Sequence, residues 1–104
     1  MRLKSGTTES LDKVIHERAR LAIVSALAAE KELSFSELRA VTGLTDGNLS
    51  VQLRTLEVAG YLSIHKSEEG GRKSRTGARL TTAGRRAFAA YLAVLDKVLG
   101  RWRQ

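Results

Sequence analysis

The 104-residue chain contains no cysteine and no proline. Without cysteine there is no disulfide, no thiol nucleophile and no thiolate metal site. Aromatic residues make up only 5% of the total, so any core is built mainly from Leu, Ile, Val and Ala. Histidine occurs twice, as His16 and His65. Neither has metal-ligand spacing or a neighbouring Ser and Asp arranged for nucleophilic catalysis, so both read as plain residues, with His65 facing solvent or touching a phosphate. The stretch EEGGRKSRTG is glycine-rich but lacks the spacing of a phosphate-binding loop, and its Gly-Gly pair reads as a hairpin turn. No apolar run approaches the ~20 residues that span a bilayer. The opening MRLKSGTTES has no apolar stretch of a signal peptide. These absences argue against catalysis, a cofactor, a bound metal and a membrane, and they lead to the expectation of a cytoplasmic protein.

Positive charge, by contrast, is plentiful. Eighteen Lys and Arg face eleven Asp and Glu, a net charge of +7. Such a balance favours a polyanionic partner: nucleic acid, an anionic surface or an acidic protein. The charge is also clustered. Between Gly70 and Leu95 there is no acid, while Arg72, Lys73, Arg75, Arg79, Arg85 and Arg86 all fall inside.

Residues 1–10 are polar and read as a loose segment, with one domain over residues 11–104. From Val14 to Lys31, Ile15, Ala19, Ala22, Ile23, Ala26 and Leu27 recur at spacings of three and four, which predicts an amphipathic helix. Ser34 with Glu37 is a capping box, flanked by a Leu33–Leu38 staple, and Gly43 ends that short helix. Thr45 then caps a second helix over residues 45–59, with Leu44 and Leu49 as its staple and Gly60 as its stop. Two capped helices across a tight turn are the layout of a helix-turn-helix. The run YLSIHKS alternates like a half-buried strand, and GARL can return beside it, giving a hairpin over residues 61–80 with a basic tip. A long helix over residues 82–103 follows.

The helix over residues 45–59 has two faces. Leu49, Leu53 and Leu56 want a core, whereas Gly47, Asn48, Val51, Arg54 and Thr55 lie opposite with a single charge among them. A face meant for water alone usually carries more charge. In a helix-turn-helix the second helix enters the major groove and its N-terminal residues meet base edges. The Asn48 amide can match adenine, the Arg54 fork guanine, and Val51 a thymine methyl group. Gly47 lets the backbone come close, and Thr45 and Ser50 flank these positions. Arg72, Lys73 and Arg75 at the hairpin tip are candidates for phosphate or minor-groove contact. Asp46 and Glu57 would repel phosphate, although an acid in the first turn stabilises the helix dipole.

The last helix carries Phe88, Tyr91, Leu92, Leu95, Val98, Leu99 and Trp102, more apolar surface than a small domain readily covers. A pairing across a two-fold axis would bury the surplus, with Leu11, Val14 and Ile15 joining the seam.

The stretch FSELRAVTGLTDGNLSVQLRTLEVAGYLSIHKS, followed by the basic loop and RLTTAG, resembles the winged-helix transcriptional regulators, most closely the compact MarR-like and ArsR-like groups. The likeness runs from about Leu11 to Leu99. It implies a mostly helical α+β fold: a winged helix-turn-helix with a two-stranded basic wing and a long C-terminal dimerisation helix. It further implies a homodimer bound to double-stranded DNA, the helix at Thr45 to Ala59 reading the major groove and the segment Arg72 to Arg75 forming the wing. Regulators of this kind often repress by occupying a promoter, and many are released by a ligand. The Cys or His and acid clusters of metal-sensing ArsR-like proteins are missing here, and the chain is short for the extra helices that frame a ligand pocket in larger MarR-like proteins. The rival reading is a winged-helix module that binds an acidic protein and touches DNA only weakly.

Overall fold

The structure is a computed structural model that describes residues 8–67 and 75–103. A short 3-10 turn at Thr8–Ser10 is followed by α1 (Arg18–Ala29), β1 (Leu33–Ser34), α2 (Phe35–Thr42), α3 (Asp46–Val58), β2 (Leu62–Ser67), β3 (Arg75–Leu80) and α4 (Thr82–Arg103). This is the winged helix-turn-helix expected from the sequence, mostly helical with one small antiparallel sheet.

Helix α1 starts at Arg18, later than the apolar periodicity from Val14 suggests. Asp12 takes the preceding turn instead: its Oδ1 accepts the amides of Val14 and Ile15 at 2.8 and 3.1 Å. A short acidic side chain that bonds nearby amides competes with the helix for them. Glu17 then caps α1 by accepting from the Arg20 amide at 2.9 Å. That bond, with the charges of Arg20 and Arg18, outweighs partial burial and holds the Glu17 carboxyl below its ordinary range.

The start of α2 follows the sequence reading. Ser34 Oγ accepts from the Glu37 amide at 3.1 Å, and Glu37 Oε1 accepts from the Ser34 amide at 2.8 Å. Gly43 closes the helix at φ 75°, a left-handed conformation that a Cβ disfavours. Thr45 caps α3 through the Asn48 amide at 3.1 Å. At the other end the Tyr61 amide donates to the Leu56 carbonyl and the Gly60 amide to the Glu57 carbonyl, the paired bonds of a Schellman motif around Gly60.

The expected two-stranded wing is β2 and β3, and a third short strand joins its sheet, in the order β1-β3-β2. Strand β1 pairs Leu33 with Ala78 and Ser34 with Gly77. Two residues cannot show an alternating pattern, so this edge was invisible to periodicity. The hairpin registers Leu62 with Leu80 and Ile64 with Ala78, which puts Leu62, Ala78 and Leu80 in the interior. The main core joins these to Ile23, Val24 and Leu27 of α1, Leu38 of α2, and Leu49, Leu53 and Leu56 of α3, and it is wholly aliphatic. A second, smaller cluster, Leu11, Ile15 and Tyr91, lies between the N-terminal turn and α4.

Candidate nucleic-acid interface

Three leucines anchor α3: Leu49 and Leu56 are fully buried and Leu53 nearly so. On the other side Gly47, Asn48, Ser50, Val51 and Arg54 are all exposed, with Val51 at 60% of its free surface. Thr45 lies at the same end, its hydroxyl engaged by the Asn48 amide. Arg54 has no hydrogen bond or ion pair among the described residues. Its guanidinium is therefore available for a charge-assisted, bidentate bond to a base edge, which would offset the cost of withdrawing the charge from water.

Asp46, the carboxylate nearest the helix start, is drawn aside. Arg39 Nη1 of α2 donates to its Oδ1 at 2.7 Å. The sequence reading invoked only the helix dipole for Asp46. The ion pair spans the turn and offsets a charge that would face phosphates. Asn48 is also held from behind. Arg20 Nη1 of α1 donates to Gln52 Oε1 at 2.8 Å, and Gln52 Nε2 donates to Asn48 Oδ1 at 3.0 Å. Neither Arg20 nor Gln52 stood out in the sequence, although Asn48 and Gln52 have the i,i+4 spacing at which helical side chains meet.

An open groove separates α3 from the sheet, lined by Phe35, Ser50, Arg54, Ile64, Lys66 and Thr76 among others. It runs from the exposed face of α3 to the base of the wing. Of the expected wing contacts, Arg75 opens β3, whereas Arg72 and Lys73 lie outside the described residues. Exposed Arg79 follows on β3, and exposed Arg85 and Arg86 stand in the first turns of α4, where a cation is disfavoured by the helix dipole. His65 is half-buried, and its Nε2 meets Glu32 Oε2 at 2.8 Å, tying β2 to the approach to β1.

The expected seam residues divide by burial. Leu11, Ile15 and Tyr91 are covered within the protomer, at 6%, 0% and 2% exposure, and form its second core. Phe88, Leu95 and Val98 are half-buried, and Leu92 and Leu99 are exposed on α4. Trp102 lies in the last turn of that helix. His16 precedes α1 rather than riding on it, and its Nδ1 lies 2.8 Å from the Tyr91 hydroxyl. A further bond fixes the same corner. The Tyr61 hydroxyl donates to Asp12 Oδ2 at 2.5 Å, and this bond, with burial and the Asp12 charge, pushes the Tyr61 pKa up to about 12.

A profile of the winged helix DNA-binding domain family matches residues 19–99. The chain belongs to this family. An uncharacterized protein of Methanocaldococcus jannaschii is 34% identical over 80 residues, covering 77% of this chain and 86% of that one. The structure of a transcriptional regulator homologue from Pyrococcus horikoshii superposes with a TM-score of 0.81 at 26% identity, over 88% of this chain and 89% of that one. A MarR-family transcriptional regulator from Silicibacter pomeroyi shares the fold at a TM-score of 0.63 and 22% identity, over 88% of this chain but 60% of that longer protein. These matches put the winged-helix chain among DNA-binding regulators rather than enzymes. No helix among the described residues is long and apolar enough to cross a membrane.

Proposed function

We propose that the protein is a homodimeric, sequence-specific repressor that binds double-stranded DNA. One observation carries the reading: α3 is fastened to the core by Leu49, Leu53 and Leu56 while its opposite face offers Gly47, Asn48, Ser50, Val51 and Arg54 to solvent. That face would lie in the major groove, Arg54 reaching guanine and Val51 a thymine methyl group. The wing, with Arg75 at the start of β3 and Arg72 and Lys73 preceding it in sequence, would contact phosphates or the adjacent minor groove. The pairing of two copies rests on α4, where Leu92 and Leu99 stand exposed seven residues apart, two helical turns along one stripe, with half-buried Leu95 and Val98 beside them. Paired recognition helices would meet half-sites about one DNA turn apart, roughly 34–36 Å.

Selection from a pool of random duplex DNA at near-physiological salt tests this. An enriched inverted repeat with half-sites about 10 base pairs apart is the expected result. Salt-sensitive binding with no enriched sequence would overturn sequence-specific readout and favour an acidic protein partner.

A further inference from the structure

The bonds behind Asn48 run in one direction, and that direction is set by chemistry rather than by how an amide is drawn. An arginine guanidinium can only donate. Arg20 is held in place by its Nε, which donates to the Val14 carbonyl at 2.6 Å, and its side chain is only 19% exposed. Its Nη1 donates to Gln52 at 2.8 Å, so the atom of Gln52 that faces it must be the carbonyl oxygen. The Gln52 amino group therefore turns toward Asn48, and the atom of Asn48 that receives it at 3.0 Å must be Oδ1. Asn48 is left with its Nδ2 amino group free among the described residues, on the exposed third residue of α3. A free asparagine can present either its oxygen or its amino group to a base; this one is biased to donate.

We infer that Arg20 and Gln52 are positioning residues that fix Asn48 as a hydrogen-bond donor and so set the base preferred at one position of each DNA half-site. The inference rests on the proposed reading of α3 as the recognition helix. Through the relay, Asn48 selects a base whose major-groove edge accepts, guanine above all with its N7 and O6, and disfavours cytosine, whose edge donates through N4. The adenine pairing expected from an unconstrained asparagine uses the oxygen as acceptor as well as the amino group as donor. Here that oxygen is turned toward Gln52 with one of its two lone pairs engaged, which weakens that pairing.

Gln52→Glu reverses the direction while keeping the shape. One oxygen of the substituted carboxylate accepts from Arg20, the other accepts from the Asn48 amino group, and Asn48 then turns its oxygen outward. Random-duplex selection with the wild type and Gln52→Glu is compared as relative base preference at each position. It should show a swing of about fivefold or more from guanine toward the bases whose edges donate, cytosine through N4 or adenine through N6, at one position per half-site, the others holding. Arg20→Lys, which also only donates, should keep the wild-type preference. An unchanged base at every position in Gln52→Glu, with the wild type selecting a clear site, would overturn the relay and leave DNA reading intact. Side-chain amide NMR of the free protein supplies an arm that needs no DNA. The Gln52 amino protons should be the ones protected from exchange in the wild type, and the Asn48 pair in Gln52→Glu; an Asn48 pair already protected in the wild type would refute the relay even if no DNA site is found.

Discussion

A methyl group placed on Gly84 would sit 2.0 Å from the Tyr61 carbonyl oxygen and 2.9 Å from its carbon. The opposing atoms are backbone, so no side chain can swing clear. Reaching an ordinary contact of 3.4 Å requires the start of α4 to retreat by about 1.4 Å. The same carbonyl accepts from the Thr81 amide at 3.0 Å, and Thr81 Oγ1 donates to the Gly60 carbonyl at 2.7 Å while accepting from the Gly84 amide at 3.0 Å. A retreat of that size breaks the first of these bonds and stretches the others. Overpacking costs about 1–3 kcal/mol. A lost backbone bond adds about 1 kcal/mol, and the better helix propensity of alanine returns about 1 kcal/mol. The net loss for Gly84→Ala is therefore about 1–3 kcal/mol, a fall of roughly 5–20 °C in Tm for a domain of this size. Gly100→Ala supplies the control, because it makes the same change on the same helix with nothing within 4 Å. It should leave Tm level or raise it slightly. Thermal unfolding by circular dichroism, at one matched protein concentration, reads both. A Gly84→Ala protein as stable as the wild type would refute the close approach.

Three further outcomes are expected. Tyr61→Phe should cost about 1–2 kcal/mol at neutral pH by removing the bond to Asp12. Because the folded-state Tyr61 pKa is raised from 10 to about 12, that contribution is complete below pH 10 and is lost between pH 10 and 12; denaturant unfolding curves of the two proteins should converge there, and a constant gap would refute the linkage. Leu92→Glu with Leu99→Glu should convert a dimer to a monomer in analytical ultracentrifugation with little change in the fold, since both side chains are exposed in the protomer; an unchanged mass would remove α4 as the seam. Arg54→Ala should weaken binding to the selected site by about 1–3 kcal/mol and to random DNA much less, and equal losses on both would assign Arg54 to phosphate rather than base.

What the sequence disclosed was local chemistry. The Ser34–Glu37 box, the Thr45 cap and the Gly43 stop all complete themselves within four residues, and each is where its residue type predicts. Period also worked for α3, whose buried face is Leu49, Leu53 and Leu56, and α4 covers the residues expected of it. It failed where the partner is distant. Asp12 and Tyr61 are 49 residues apart and His16 and Tyr91 are 75 apart, and no spacing rule brings them together. The late start of α1 shares this origin, for Asp12 is held in its turn from two sides, by the following amides and by Tyr61. At the candidate interface the outward face of α3 was legible, but its support was not. Arg20 is 32 residues from Gln52, a separation that no spacing rule spans, and only the fold places the two together.

The distant contacts that sequence cannot show converge on one junction. At Gly60 and Tyr61 α3 ends, β2 is about to begin and α4 is docked: the Tyr61 amide is bonded to Leu56 of α3, the Tyr61 and Gly60 carbonyls are bonded to Thr81, and the Tyr61 hydroxyl is bonded to Asp12. Gly84 presses on the same carbonyl. Backbone hydrogen bonds and a backbone contact thus help to set the angle between α3 and α4, since such bonds weaken steeply when their geometry is bent. Within the proposed dimer, α4 would supply the seam and α3 the reading head, and this junction would then help to fix how far apart the two reading heads stand. Three residues of the phrase RLTTAG hold that geometry: Leu80 fills the core, Thr81 ties the junction, and Gly84 has no side chain to keep α4 from closing on it.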